Sequence, residues 1–409
     1  MERLRRYSSP PRSMVANGEG GKRLKKRPSF SNLLSSFKGV RKRSAEDDQG
    51  QTSLFFAAFF RLPNELHLHI LSNLSIADLL SLRRTCHSFN ALVTACGSSL
   101  VRYWTRCRFG SLHLKLYPAP GPNQAELQYL LAMRRRHIAA VRLTRELANF
   151  VLRDTLKYTN QRQRQMWASV YEKMIPLVFA VGYFLEEHRR AILERDLGRI
   201  RRGNIGYDIC TTPGITSQEG DILKRLDCPL RLQYYFMYLF IVQVLSRKLR
   251  PPTYAGSVER IVRGWTGHAA CAEDIAFVLI LGGISQVAKL LACKNYSERR
   301  RHLHHFITRL SPHQSVAWRG HWRDLGVTSP ALLDDIPCAS IGITQLDQIW
   351  TPMMERLMEP DSREFTEQDK TKFHEVTASK QYINELMGYD ILRGRPVDGE
   401  NEEGEGDDL

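Results

Sequence analysis

Histidine, cysteine and arginine are the side chains in this sequence with chemistry to offer, so their spacing is weighed first. The densest histidine group is His302, His304 and His305, followed by His313 and His321. Helical metal sites favour two ligands four residues apart, with further ligands elsewhere. His302 and His305 are three apart, no cysteine or carboxylate is read as a close companion, and Arg299, Arg300 and Arg301 stand beside them to repel a cation. His268 and Cys271 lie near Glu273, but no Cys-x-x-Cys pair accompanies them, so a zinc-deaminase arrangement does not form. Both groups read as ordinary core or surface histidines, and no metal site is expected. The eight cysteines stand singly, which indicates neither a zinc ribbon nor a disulfide framework. Reduced thiols inside a cell are the simplest account. No Gly-x-Ser-x-Gly elbow, Walker-type phosphate loop or Gly-x-Gly-x-x-Gly occurs in the chain. Gly282-Gly283 falls inside an apolar run and reads as close helix packing. No catalytic residue and no cofactor is expected.

Arginine is the more suggestive type. If residues 124–157 form one helix, the 100° turn per residue places Arg135, Arg142, Arg153 and Lys157 on one face, with Arg134, Arg136 and Arg145 widening it. Guanidinium groups grip phosphate bidentately, so such a face could bind an anion, including a phosphorylated protein segment. The plainer reading is the solvent side of an amphipathic helix, with Glu146 in its midst.

The elements that position these residues are helical. Apolar residues recur at three- and four-residue spacing over 124–157, 166–200, 218–249, 257–263, 272–293, 297–310, 345–358 and 366–391, with Gly and Pro between them. Alternating strand-like runs are scarce, and no repeat of solenoid or propeller length is found. The expected fold class is all-α. The apolar runs Met174–Leu185, Tyr234–Leu245 and Ile275–Ile284 are each shorter than the roughly 17–25 residues of a bilayer span, so they read as core helices and no membrane partner is expected.

Charge divides the 409 residues unequally. The total is +16. Residues 1–50 carry +8 and are rich in Ser, Gly and Pro, and a disordered basic tail is expected over 1–53. They hold no apolar core segment behind their positive charge, so a secretory signal is not expected. Lys22–Arg27 and Arg41–Arg43 are spaced like a two-part nuclear import signal, and Ser8, Ser29 and Ser44 follow basic residues as kinase sites do. Residues 396–409 carry seven acidic groups and no basic one, an acidic disordered tail. The +15 between the tails makes acidic or phosphorylated partners plausible, and nucleic acid among them.

The segment 54–109 carries the strongest pattern. Pro63 precedes a helical stripe and suits a first turn, where its missing N–H is no loss. Leu66, Ile70, Leu71 and Leu74 then form one apolar face. Ser75 can cap a second helix, with Asp78 in the reciprocal acidic position, and Leu79, Leu80 and Leu82 supply its apolar side. A third helix is expected from Cys86 to Val93 with Phe89 and Leu92 inward, and Leu100, Tyr103 and Trp104 close the segment. A unit this small cannot bury all these leucines in itself, so surplus apolar surface is left for a partner.

In order and spacing this segment resembles the F-box. The residues that carry the resemblance are Leu62, Pro63, Glu65 and Leu66, then Ile70, Leu71 and Leu74, then Asp78 and Leu79, then Arg84, Cys86 and Phe89, and finally Leu100 and Trp104. The resemblance implies a trihelical unit at 54–109 that docks on a Skp-type linker and, through it, a cullin, with no chemistry of its own. Its partner-binding residues would be Leu62, Pro63, Glu65, Leu66, Ile70, Leu71, Leu74, Asp78, Leu79, Leu82, Cys86, Phe89 and Trp104. Residues 110–395 would then be a larger irregular helical domain that selects a protein substrate for ubiquitylation, in the nucleus or cytoplasm. The alternative is a basic nuclear protein, associated with nucleic acid or chromatin, whose F-box serves assembly without ubiquitylation.

Overall fold

The computed structural model describes residues 54–121, 127–152, 162–201, 215–251, 270–309, 343–358, 367–387, 389–390 and 395–396. Both expected tails lie outside them except at Pro396, as does the stripe at 257–263. The described residues are almost wholly helical. Their one extended pairing is the antiparallel contact of Tyr389–Asp390 with Arg395–Pro396. The chain divides into two compact units, Met1–Gly110 with Ala119–Leu130, and Ser111–Pro118 with Leu131–Leu409.

The first unit holds α1 (Leu54–Phe60), α2 (Asn64–Asn73), α3 (Ile76–Arg83), α4 (His87–Ala95) and α5 (Gly97–Cys107). The three helices read from the sequence are α2 to α4, and α1 and α5 flank them. Pro63 sits one residue before the first helical turn, with ψ 150, and its carbonyl accepts from the N–H groups of Leu66 and His67. The expected cap at Ser75 is present: Asp78 N–H donates to Ser75 Oγ at 3.2 Å, and Ser75 N–H donates back to Asp78 Oδ2. Leu71, Leu79, Val93, Leu100, Val101 and Trp104 form the core of this unit.

The second unit is built from α6 (Ser111–Leu116), the body of α7 (Leu127–Phe150), α8 (Arg162–Arg201), α9 (Thr216–Lys224), α10 (Arg231–Lys248), α11 (Ala272–Phe277), α12 (Gly283–Ala292), α13 (Tyr296–Arg309), α14 (Thr351–Met358) and α15 (Glu367–Met387). Several sequence stripes are interrupted. The stripe at 218–249 is two helices, parted at Cys228-Pro229, where proline cannot donate to a helical ladder. The stripe at 272–293 is α11, a π-helical segment Val278–Gly282 and α12. Gly283 has φ +58, a left-handed conformation that glycine adopts without a Cβ penalty. The packing expectation holds at Gly282, where a Cβ would come within 2.5 Å of Gln286 and 3.1 Å of Phe306. At Gly283 the positive φ, with nothing within 4 Å of where a Cβ would stand, is the reason for glycine instead. The single helix expected over 124–157 ends as α-helix at Phe150, with two π-type residues after it.

α10 is apolar nearly all round and is buried accordingly, from Tyr234 to Leu245, against α8 and α15. Trp350 fills the remaining space. It is wholly buried, its ring stacks on Phe184 at 3.9 Å, and its φ of 69 is a strained value that the surrounding packing enforces. Its backbone N–H donates to the buried Glu219, whose carboxylate lies 2.9 Å from His188 Nδ1.

Two stretches, Trp167–Asp196 and Ala272–Ala292, are long and apolar enough to cross a membrane by length and composition. The uninterrupted apolar runs within them, Met174–Leu185 and Ile275–Ile284, are shorter. In each stretch 56% of the apolar window is buried inside the protein, and the first carries Glu186, Glu187, His188, Arg189 and Arg190. Both are packed here as core helices.

One buried pair makes stability depend on pH. The His113 ring on α6 lies tilted against Phe179 at 4.3 Å and against His137 at 5.6 Å. Burial, and then the charge His137 would carry, lower His113 to about 4. The unfolded chain therefore takes up this proton at higher pH than the folded one. Stability present above pH 6.5 is lost as pH falls towards 4. The contribution is about 3 kcal/mol at most. Thermal melts of the wild type and His113→Leu across this window are expected to converge as pH falls, the variant losing less.

Candidate functional site: a docking face and a basic cavity

Ten helical residues cannot bury both sides of α2. Leu71 is fully buried, and His67 turns inward with Nε2 2.7 Å from the carbonyl of Phe59. That contact holds α1 against α2, and the rings of Phe56, Phe59 and Phe60 gather on Phe89 at 5.3–5.6 Å. The expected single apolar face of α2 is thus divided. Leu66 remains 47% exposed and Ile70 41% exposed. Leu66 and Ile70 are one helical turn apart and so lie on one side of α2, with half-buried Leu62 just before the helix and Pro63 and Glu65 exposed at its start.

The other residues expected to bind a partner fall into two groups. Leu71, Leu79, Phe89 and Trp104 are core residues that shape the unit. Leu74, Leu82 and Cys86 are half-buried, and Asp78 is exposed with its carboxylate on the Ser75 cap. Trp104 belongs to the core of α5, where Arg108 lies 5.9 Å from its ring. The phenylalanines of α1 and the inward turn of His67 were not read from the sequence, because their roles depend on how α1 folds back.

Residues 59–98 match the F-box-like family model. No curated protein and no solved structure matches the chain. The match covers α2, the capped helix α3 and α4, and leaves the second unit unassigned. F-box domains generally bind Skp-type linkers and serve protein–protein interaction.

The second unit has a site of different character. A cavity of about 1030 Å³ opens between α7, α8, α12 and α13. Arg135 and Arg142 line it, so two of the four residues expected to bind an anion share one concavity. Arg153 and Lys157 lie outside the described residues. Arg136, expected to widen that face, lines the cavity too, and the structure adds Arg189 from α8, then Lys289, Arg301 and Arg309 from α12 and α13. Arg135 and Arg309 are 174 positions apart in sequence, and no spacing rule could have joined them.

Glu186 is the only carboxylate on the wall among the described residues. Arg136 takes it in two hydrogen bonds, Nε to Oε2 at 2.8 Å and Nη2 to Oε1 at 2.6 Å, and Tyr117 donates to Oε2 at 2.9 Å. Burial acts to raise this carboxyl, but Arg136 overrides it and holds Glu186 below its usual range. Arg189 is lowered chiefly by burial. Its Nη1 lies 3.3 Å from the carbonyl of Leu281.

The histidine reading needs one correction. Cys293, Glu298 and His302 bring ligand atoms within 4.8 Å of one another, because Glu298 is one helical turn before His302 and the turn at 293–295 folds Cys293 back. Glu298 accepts from Lys294 N–H at 3.2 Å, and the Cys293 thiol donates to the carbonyl of Lys289. Burial, and then Glu298, raise the Cys293 thiol, which keeps it protonated. Lys289 and Arg301 sit on the neighbouring cavity wall, so the group serves the start of α13 in a field that repels cations.

Core and outward-facing residues of the first unit are separable by stability. Leu71→Ala is expected to cost about 2–5 kcal/mol and Ser75→Ala about 1 kcal/mol. Leu66→Ser with Ile70→Ser should change the melting midpoint little, as surface substitutions do. Denaturant melts of the three variants check this ordering.

Proposed function

We propose that this chain is the substrate-recognition subunit of an SCF-type ubiquitin ligase. The observation that carries the reading is the exposed apolar pair Leu66 and Ile70, with half-buried Leu62 before them, on an F-box-like unit that is otherwise well packed. Burial of Leu66 and Ile70 against a Skp-type linker would contribute about 1.5–3 kcal/mol per side chain. Pro63 and Glu65 lie at the edge of the same contact. The linker joins a cullin, and the second unit holds a protein substrate.

In this reading the chain performs no chemistry. It raises the effective concentration of a substrate lysine near a charged ubiquitin-conjugating enzyme, and positioning of that kind supplies the rate. The reading also sets the protein inside the cell, with Lys22–Arg27 and Arg41–Arg43 as an import signal for the nuclear share.

Capture of a purified Skp-type linker by the full-length chain tests the assignment. The wild type is expected to bind, and Leu66→Glu with Ile70→Glu to weaken binding by at least a hundredfold, since each change buries a charge in an apolar contact. Leu62→Ala with Pro63→Ala should weaken it less. Failure of the wild type to bind, or equal binding by the glutamate variant, overturns the reading.

A further inference from the structure

We infer that the cavity of the second unit is a binding site for a compact molecule carrying several phosphates, and that this molecule is a structural ligand of the domain. The inference goes beyond the ligase reading and does not depend on it.

The first ground is charge. Four helices point cations at one concavity of about 1030 Å³, a volume suited to a small ligand. α7 supplies Arg135, Arg136 and Arg142, and α8 supplies Arg189. Lys289 comes from α12, with Arg301 and Arg309 from α13. Arg136 is matched by Glu186, and no ion pair engages the other six among the described residues. Like charges brought this close oppose folding, and solvent relieves that only in part within a concave wall. One phosphate monoester carries about −1.5 to −2. A single phosphoserine would therefore leave most of the charge unmatched, whereas three or more clustered phosphates would balance it.

The second ground is backbone geometry, independent of the side chains. The left-handed Gly283, following the π-helical segment, makes α12 start afresh at the cavity. Its first turn, Gly283 to Gln286, lines the wall, and the positive end of its dipole adds to the field of the arginines. π-helical insertions of this kind recur at functional sites. Guanidinium forks from α7 and α13 and the start of α12 thus approach the same space from different sides, as a branched or linear polyphosphate requires.

Ligand occupancy should stabilise the second unit by removing repulsion between four helices. The test is calorimetric titration and thermal melting of the full-length chain with sodium tripolyphosphate and, separately, with a nucleoside triphosphate, each against sulfate at matched ionic strength. The expected result is micromolar binding of at least one polyphosphate, a rise in melting temperature of several degrees at a hundredfold excess over Kd, and no such effect of sulfate. Binding of tripolyphosphate alone identifies the phosphate cluster as the determinant, and preference for the nucleotide adds its scaffold. Arg135 and Arg142 are exposed and have no ion pair among the described residues, so Arg135→Ala with Arg142→Ala should fold normally and lose at least tenfold in affinity, while Arg250→Ala, away from the cavity, loses none. Circular dichroism confirms that the variants are folded. Three results overturn the inference: equal effects of sulfate and polyphosphate, unchanged affinity in the double variant, or binding of a multiply phosphorylated peptide with neither small polyphosphate bound.

Discussion

A helix can turn only one side to a core, and both sites of this protein follow from which side each helix turns. In α2 the inward side is taken by His67 and Leu71. Leu66 and Ile70 are then left on the outside, where an apolar side chain gains by meeting another surface. In α7 the inward side is Leu130, Met133, Ala140, Leu143 and Leu147, spaced three, four and seven apart. The arginines between them must lie on the remaining arc. The same division thus leaves apolar surface outside on one helix and gathers charge outside on another.

The consequences differ because the neighbours differ. Around α2, α1 closes one flank through the Phe59 and Phe60 rings and leaves Leu66 and Ile70 open. Around α7 the neighbours α8, α12 and α13 are themselves basic where they face it, so the charge becomes concave. Concavity matters more than the number of charges: a solvated row of arginines is screened over about 8 Å at physiological salt, whereas a wall with low-dielectric surroundings focuses its field. Arg136 and Glu186 show the alternative, in which a cation that finds a carboxylate is withdrawn from the field and held by two hydrogen bonds and the Tyr117 ring at 3.9 Å.

Much of the first unit was legible because its determinants are local. The Ser75–Asp78 cap, Pro63 before α2, and the core places of Leu71, Leu79 and Phe89 follow from residues within a turn or two of one another. Helix boundaries in the second unit were less legible. The stripes at 218–249 and 272–293 keep their apolar period straight through breaks at Pro229 and Gly283, since both flanking helices are buried and periodicity reports burial more strongly than continuity. The proximity of Cys293 and Glu298 to His302 was likewise passed over, because the turn that returns Cys293 leaves no periodic trace.

The sequence by itself determined the all-helical class, the F-box-like segment with most of its core, and the presence of a large basic excess in the chain between its two ends. Each rests on short-range spacing or on composition. Tertiary structure alone decided which leucines of α2 face outward, since that depends on α1 folding back. It also decided that Arg135 and Arg142 share one cavity with Arg189, Lys289, Arg301 and Arg309. Those six charges come from four helices distant in the chain, and only the packing of apolar faces elsewhere brings them together.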